Sequence, residues 1–168
     1  MHVITAKGPS AEVTISHARA YDFDEKRGVW LFRKVDEDET VRNIVTNAGR
    51  VQLHTFMYGT SSRASGFRFI GLSNDGAATA ASDTTLASEL VGNGLSRVAA
   101  GVTLPVGAGT QTIISNIFAF SGGSPQAVQK SALFDTASGG VMAHEILFAQ
   151  RTLQPGDNLT VSYTITLA

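Results

Sequence analysis

Hydrophobic and polar positions alternate most regularly at the end of the chain. Leu159, Val161, Tyr163, Ile165 and Leu167 alternate strictly with Asn158, Thr160, Ser162, Thr164 and Thr166. A period of two puts every apolar side chain on one side of an extended backbone, which predicts a half-buried antiparallel strand. The turn residues Gln154-Pro155-Gly156-Asp157 lead into it. Residues 128–134 and 141–148 are apolar runs separated by turn formers at 135–140, which predicts a hairpin. Residues 110–120 are apolar on both faces, predicting a central strand. A shorter strand is expected over 67–72, and a single helical turn fits 83–90. Val98, Ala100, Val102 and Leu104 alternate with Arg97, Ala99, Gly101 and Thr103.

The first part of the chain reads differently. Gly8-Pro9-Ser10 interrupts any regular element and leaves residues 1–7 as an extended arm. In AEVTISHARAY (11–21), Val13, Ile15 and Tyr21 share one side, with His17 and Arg19 between them. After the polar loop 22–28 comes VWLFRKV (29–35), in which Trp30 and Phe32 share one face and Val29, Leu31 and Val35 the other. Two such runs joined by a short polar loop predict a β-hairpin. Downstream, Val41, Ile44, Val45, Ala48 and Val51 fall at helical spacing, with Thr40 as N-cap and the acidic residues 36–39 placed to complement the helix dipole. A helix is therefore expected over 41–57, weakened by Gly49 by about 1 kcal/mol relative to alanine.

About eight strands with regularly spaced turns predict an all-β domain, an antiparallel jelly-roll-like β-sandwich with one short helix and an extended N-terminal arm and hairpin. An immunoglobulin-like sandwich is the alternative. The expected division is an arm and hairpin over 1–40 and a sandwich over 41–168, led by the helix.

Composition narrows the function classes. With 13 basic and 14 acidic residues and no clustered basic stripe, binding to nucleic acid is not expected. No apolar stretch is long enough to span a membrane, and the N-terminal residues lack a signal peptide's apolar run, so synthesis in the cytoplasm is expected. There is no cysteine, which removes disulfides and thiolate metal sites. The distribution of charge is more telling than its total. Residues 1–50 carry 16 of the 27 Lys, Arg, Asp and Glu side chains, leaving 11 for the other 118 residues. A body coated with Ser, Thr, Gly and Ala loses water at little cost and suits a protein packed in an assembly.

Candidate chemistry is sparse. No phosphate-binding loop, nucleophile elbow, zinc-protease or EF-hand pattern occurs. His2, His17, His54 and His144 share no ligand spacing, and His144 and Glu145, adjacent on a strand, should face opposite ways. Residues 36–39 lack the spacing of a calcium loop and read as a solvated turn. The glycine pairs at 122–123 and 139–140 lead toward strands, where phosphate cradles lead into helices. No catalytic residue, cofactor or metal is expected. The candidate contact residues lie in the arm and hairpin: His2, Val3, Ile4, Arg19, Tyr21, Trp30, Phe32 and Arg33. If the hairpin's aromatic face is not covered by its own domain, another subunit should bury it.

The segments IVTNAGR (44–50), FIGLSND (69–75), SDTTLASEL (82–90), KSALFDTASGGVMAHE (130–145) and QPGDNLTVSYTITL (154–167) together resemble small structural proteins of tailed bacteriophages, variously labelled capsid decoration or tail-fibre-like proteins. The resemblance implies location in the virion, no catalysis and homo-oligomerisation, as a dimer or trimer. The expected role is a decoration or cement protein bound to the major capsid protein or another virion subunit through its N-terminal arm. On that view, removing residues 1–35 should abolish binding and leave the sandwich folded. A tail or tail-fibre module that binds a host surface is the second reading.

Overall fold

A computed structural model of the chain describes residues 10–24, 29–42, 44–49, 51, 66–103 and 111–166. These form eleven strands: β1 (Ser10–Asp24), β2 (Val29–Lys34), β3 (Glu39–Arg42), β4 (Ile44–Val45), β5 (Phe69–Ser73), β6 (Val98–Ala99), β7 (Gly101–Thr103), β8 (Gln111–Ala119), β9 (Gln126–Phe134), β10 (Met142–Leu153) and β11 (Asn158–Thr166). They pair antiparallel in two sheets. One has the order β2-β1-β11-β8-β7, with β3 also pairing β1; the other runs β4-β10-β9-β5-β6.

Alternation explains the layering. Val13 and Ile15 of β1, Leu159, Val161 and Tyr163 of β11 and Ile114 and Phe118 of β8 all point inward from the first sheet. Ile70, Leu72, Leu133, Ile146, Phe148 and Leu153 meet them from the second. Burying each such side chain contributes about 1.5–3 kcal/mol. The Tyr163 hydroxyl reaches across this core and donates to Ser131 Oγ at 2.9 Å. The second sheet is covered on its other face as well. There Ala132, Phe134 and Met142 pack against Leu86, carried by the segment between β5 and β6. Arg97 fastens that segment: its guanidinium lies 3.4 Å from the centre of the Phe134 ring, binds both Glu89 oxygens at 2.7 and 2.6 Å, and donates to the Gly139 carbonyl at 2.8 Å.

Several elements differ from the sequence expectation. In place of a helix from residue 41, the chain forms β3 and β4, and its described helical residues are 47–49 and 51. Val41 lies opposite Val13, and Thr40, the expected N-cap, meets the Thr14 hydroxyl at 3.1 Å. Pairing with β1 thus claims the backbone that a helix would need, and β-branched Val41, Ile44 and Val45 suit a strand as well as a helix face. The rest of the expected helix, 52–57, lies outside the described residues. Residues 83–90 form turns and an isolated bridge, Ser73 to Glu89, with no helical turn.

A boundary at residue 40 would cut through the first sheet. Residues 10–18 of β1 pair with β11 along their whole length, and Val13 and Ile15 are fully buried. What projects is the outer half of the hairpin, where β1 from residue 19 to 24 pairs with β2 alone. The register slips between Ala20 and Asp22, so Tyr21 sits at a bulge and the alternation that grouped it with Val13 and Ile15 ends there.

Candidate functional site

The outer face of the first sheet is partly open: Asp38 hydrogen-bonds Ser16 on it, and its outward side chains are half-buried apart from Ile117. Rows run across β1, β11 and β8: Ser16, Thr160 and Ile117; then Thr14, Ser162 and Ser115. Their partners one position along point into the core, so this face is fixed by the pleat. β8 and β11 contain no charged residue. Beside these hydroxyls Ile117 is 63% exposed, and Ile113 on the same side is half-buried. β8 is flanked by β11 and β7, as its sequence predicts, yet its second apolar side has no partner within the described chain. An isoleucine held open on an uncharged strand face, beyond the end of β7, is the kind of surface that a neighbouring protein buries.

At one end of this sheet the hairpin is anchored by buried charge. Asp157, in the turn between β10 and β11, is fully buried. It accepts from Arg19 Nε at 3.0 Å, Arg19 Nη2 at 3.2 Å and the Gln154 backbone N–H at 2.8 Å, and lies 2.8 Å from His17 Nε2. Burial by itself raises its pKa, but Arg19, the Gln154 amide and His17 together outweigh that and hold it below the usual carboxylate range. The other His17 nitrogen, Nδ1, lies 2.9 Å from Asp36. Arg151 of β10 continues the network to Asp36 at 3.6 Å and Glu39 at 3.1 Å. The acidic run at 36–39 is therefore no simple solvated turn: two of its four carboxylates join the sheets, while Glu37 stays fully exposed.

The proposed contact residues fall into four groups. His2, Val3 and Ile4 lie outside the described residues. Arg19 faces Arg33 directly across the hairpin, a like-charged pair whose repulsion is relieved because Arg19 turns to Asp157. Tyr21 is at the bulge and Trp30 is in register with Phe23; their side chains are not described. Phe32 and Arg33 are exposed, and Phe32, at 44%, forms one wall of a cleft of about 660 Å³ with Ala119, Phe120, Pro155, Gly156 and Asn158. The structure brings Arg19 and Phe32 to the same end of the first sheet. It does not make them the centre of the open face, which is built by Ile113, Ser115, Ile117 and the β11 hydroxyls.

No protein-family model and no curated protein matches this sequence. Among the described residues, no group of three or more His, Cys, Asp or Glu side chains is arranged to hold a metal ion, and no helix is long and apolar enough to cross a membrane. The residues that the sequence reading passed over are Ile113 and Ile117. The signal is present in the two-sided apolar pattern of 110–120, which alternation alone assigns to burial within the chain.

Proposed function

We propose that this chain is a structural, non-catalytic virion protein of a tailed bacteriophage, a capsid decoration or cement protein that binds the outer shell. The uncharged outer face of β8 and β11, with Ile117 open on β8 beyond the end of β7, supports this reading most directly. A face of Thr, Ser and Ile gives up its water at small cost, so a matching subunit gains from covering it. A standard interface of about 1,600 Å² repeated over many sites would stabilise a shell by mass action rather than by chemistry. The partner in this reading is the major capsid protein or another virion subunit, including further copies of this chain, and the protein resides in the virion after synthesis in the host cytoplasm.

The finer fold assignment belongs to the same proposal. The first and last strands, β1 and β11, pair in one sheet, and β4 and β10 pair in the other. That nesting of outer strands supports a jelly-roll-like relation, although the inner strands close as the direct hairpin β9–β10 rather than by crossing between sheets.

Because β1 belongs to the core, deleting residues 1–35 would unfold the sandwich and no longer tests the contact. Charge placed on the face does. Ile117→Lys combined with Ser115→Lys should leave urea unfolding within about 0.5 kcal/mol of wild type. It should also weaken binding to particles that lack the protein by about tenfold or more, since an unpaired charge would have to be desolvated. Full occupancy by the variant in a co-sedimentation assay would refute the proposed face.

A further inference from the structure

Sheet edges are where a β protein can extend itself, because their outer peptide groups have no partner strand. Among the described residues the edge strands are β2, β3, β4, β6 and β7, and β2 is the longest, at six residues against four, two, two and three. Its first four residues, Val29-Trp30-Leu31-Phe32, are uncharged, and its basic residues Arg33 and Lys34 are gathered at the other end. From residue 19 onward β1 has β2 as its only described neighbour, so the outer hairpin is a two-stranded ribbon. Such a ribbon is marginal in water until a further strand or layer completes it.

Backbone alternation fixes which groups that edge offers. The Val35 N–H donates to the His17 carbonyl at 2.9 Å, so Val35 turns its peptide groups toward β1, and Arg33 and Leu31 follow at intervals of two. The register slip adds its extra residue to β1, where Tyr21 is skipped, and leaves the alternation of β2 unbroken. Trp30, Phe32 and Lys34 therefore turn their N–H and C=O groups outward, toward no described strand. The side chains of Phe32, Arg33, Lys34 and Val35 are all exposed, so neither face of the strand is blocked there.

We propose that β2 pairs antiparallel with β2 of a second copy across a two-fold axis at Phe32, joining the two first sheets into one. The edge is complementary to itself, which is why the partner is a second copy. An axis through a residue sets outward groups against outward groups, whereas an axis between residues does not. An axis at Arg33 would set that residue against itself, a like-charged pair. An axis at Leu31 shortens the overlap, because Lys34 then falls opposite Gly28, beyond the strand. An axis at Phe32 uses the whole of β2. It sets Val29 against Val35, Trp30 against Lys34, Leu31 against Arg33 and Phe32 against itself, so no like charges lie directly opposite. The Trp30–Lys34 and Phe32–Phe32 pairs each exchange two N–H to C=O bonds. Lys34 brings its own counter-charge, Asp38 at 3.0 Å. The inference rests on this edge and not on residence in a virion.

The test is sedimentation equilibrium of the full chain, paired with amide hydrogen exchange over a dilution series. The wild type should dimerise with a dissociation constant of about 10 µM or below. On dilution to monomer, the Trp30, Phe32 and Lys34 amides should lose protection by about tenfold or more, while Leu31, Arg33 and Val35, paired with β1, keep theirs. Phe32→Lys sets two ammonium groups opposite each other and should abolish the dimer. Phe32→Pro removes an outward N–H and spares the ladder to β1, so it should do the same and serves if the first variant does not fold. Ile117→Lys, on the face assigned to a virion subunit, should dimerise as the wild type does, so the two readings fail separately. Dimers in both Phe32 variants, or protection of the three outward amides that does not change with concentration, overturn the pairing. A wild type that stays monomeric also overturns it, and loss of particle binding by the Phe32 variants would then assign the edge to a different subunit.

Discussion

Asp157 shows how much a single buried carboxylate organises. It collects hydrogen bonds from β1 through Arg19 and His17 and from its own turn through Gln154. Asp157→Ala leaves Arg19 without its carboxylate partner and His17 with Asp36 alone, and should destabilise the fold by about 3–5 kcal/mol in urea titrations. Because its pKa is depressed on folding, the stabilisation it gives is present above the unfolded carboxylate range and lost as pH falls through the folded value.

His144 and Glu145 make a second residue-scale case. Strand alternation predicts that they point to opposite faces, and they do: His144 lies near the Tyr163 ring in the core, and Glu145 lines a cleft on the outer face of the second sheet. Burial lowers His144 from 6.5 to about 4, so the unfolded chain holds the extra proton and stability falls as pH drops through that window. Burial and Asp83 raise Glu145 from 4.5 to about 7, so the folded chain holds the extra proton and stability falls as pH rises through that range. The two slopes oppose each other where the windows overlap. In Glu145→Gln, stability should climb steadily from pH 4 to 6.5; in His144→Leu it should decline from pH 4.5 to 7. Urea midpoints across this range check both, and two variants that track the wild type would contradict the assignment. Alternation made the facing directions legible. The partners Asp83 and Asp157 were not, because sequence patterns do not report which distant carboxylate a fold brings near.

At the scale of elements, strands with a strict period were legible and segments of mixed period were not. The β11 strand, the β9–β10 hairpin and the β1–β2 hairpin all follow from alternation and turn residues. Residues 41–51 carry apolar side chains whose spacing suits a helix, but β1 and β10 offered open strand edges, and pairing decided the outcome. Gly49 belongs to that decision. It looked like a weak point in a helix, whereas a side chain there would put Cβ 2.5 Å from the Ala143 carbonyl oxygen.

Gly156 has a different reason to be glycine. Its φ of +88° follows Pro155 in a turn closed by the Asp157 N–H on the Gln154 carbonyl at 2.9 Å, with open space around it. Gly156→Ala should therefore cost about 1–2 kcal/mol of conformational strain alone. Gly49→Ala should cost more, because the backbone beside β10 must move. Thermal denaturation of the pair tests the distinction, and equal losses would count against it.

For the whole molecule, the distribution of charge acquires a location. Charged residues early in the chain are spent on the hairpin and on the network that ties the two sheets at one end. The later strands β8 and β11 leave a neutral face beside them. The low charge of residues 51–168 was visible in the sequence; that it concentrates on one side of one sheet required the pairing register. The account's central claim is that a virion subunit covers this face. Imaging intact particles at a resolution that places individual side chains tests it most directly. The account predicts many copies of the chain on the shell, with Ser115, Ile117, Thr160 and Ser162 against a neighbouring subunit. A chain that is missing from the particle, or one whose β8 and β11 face points into solvent, would contradict it.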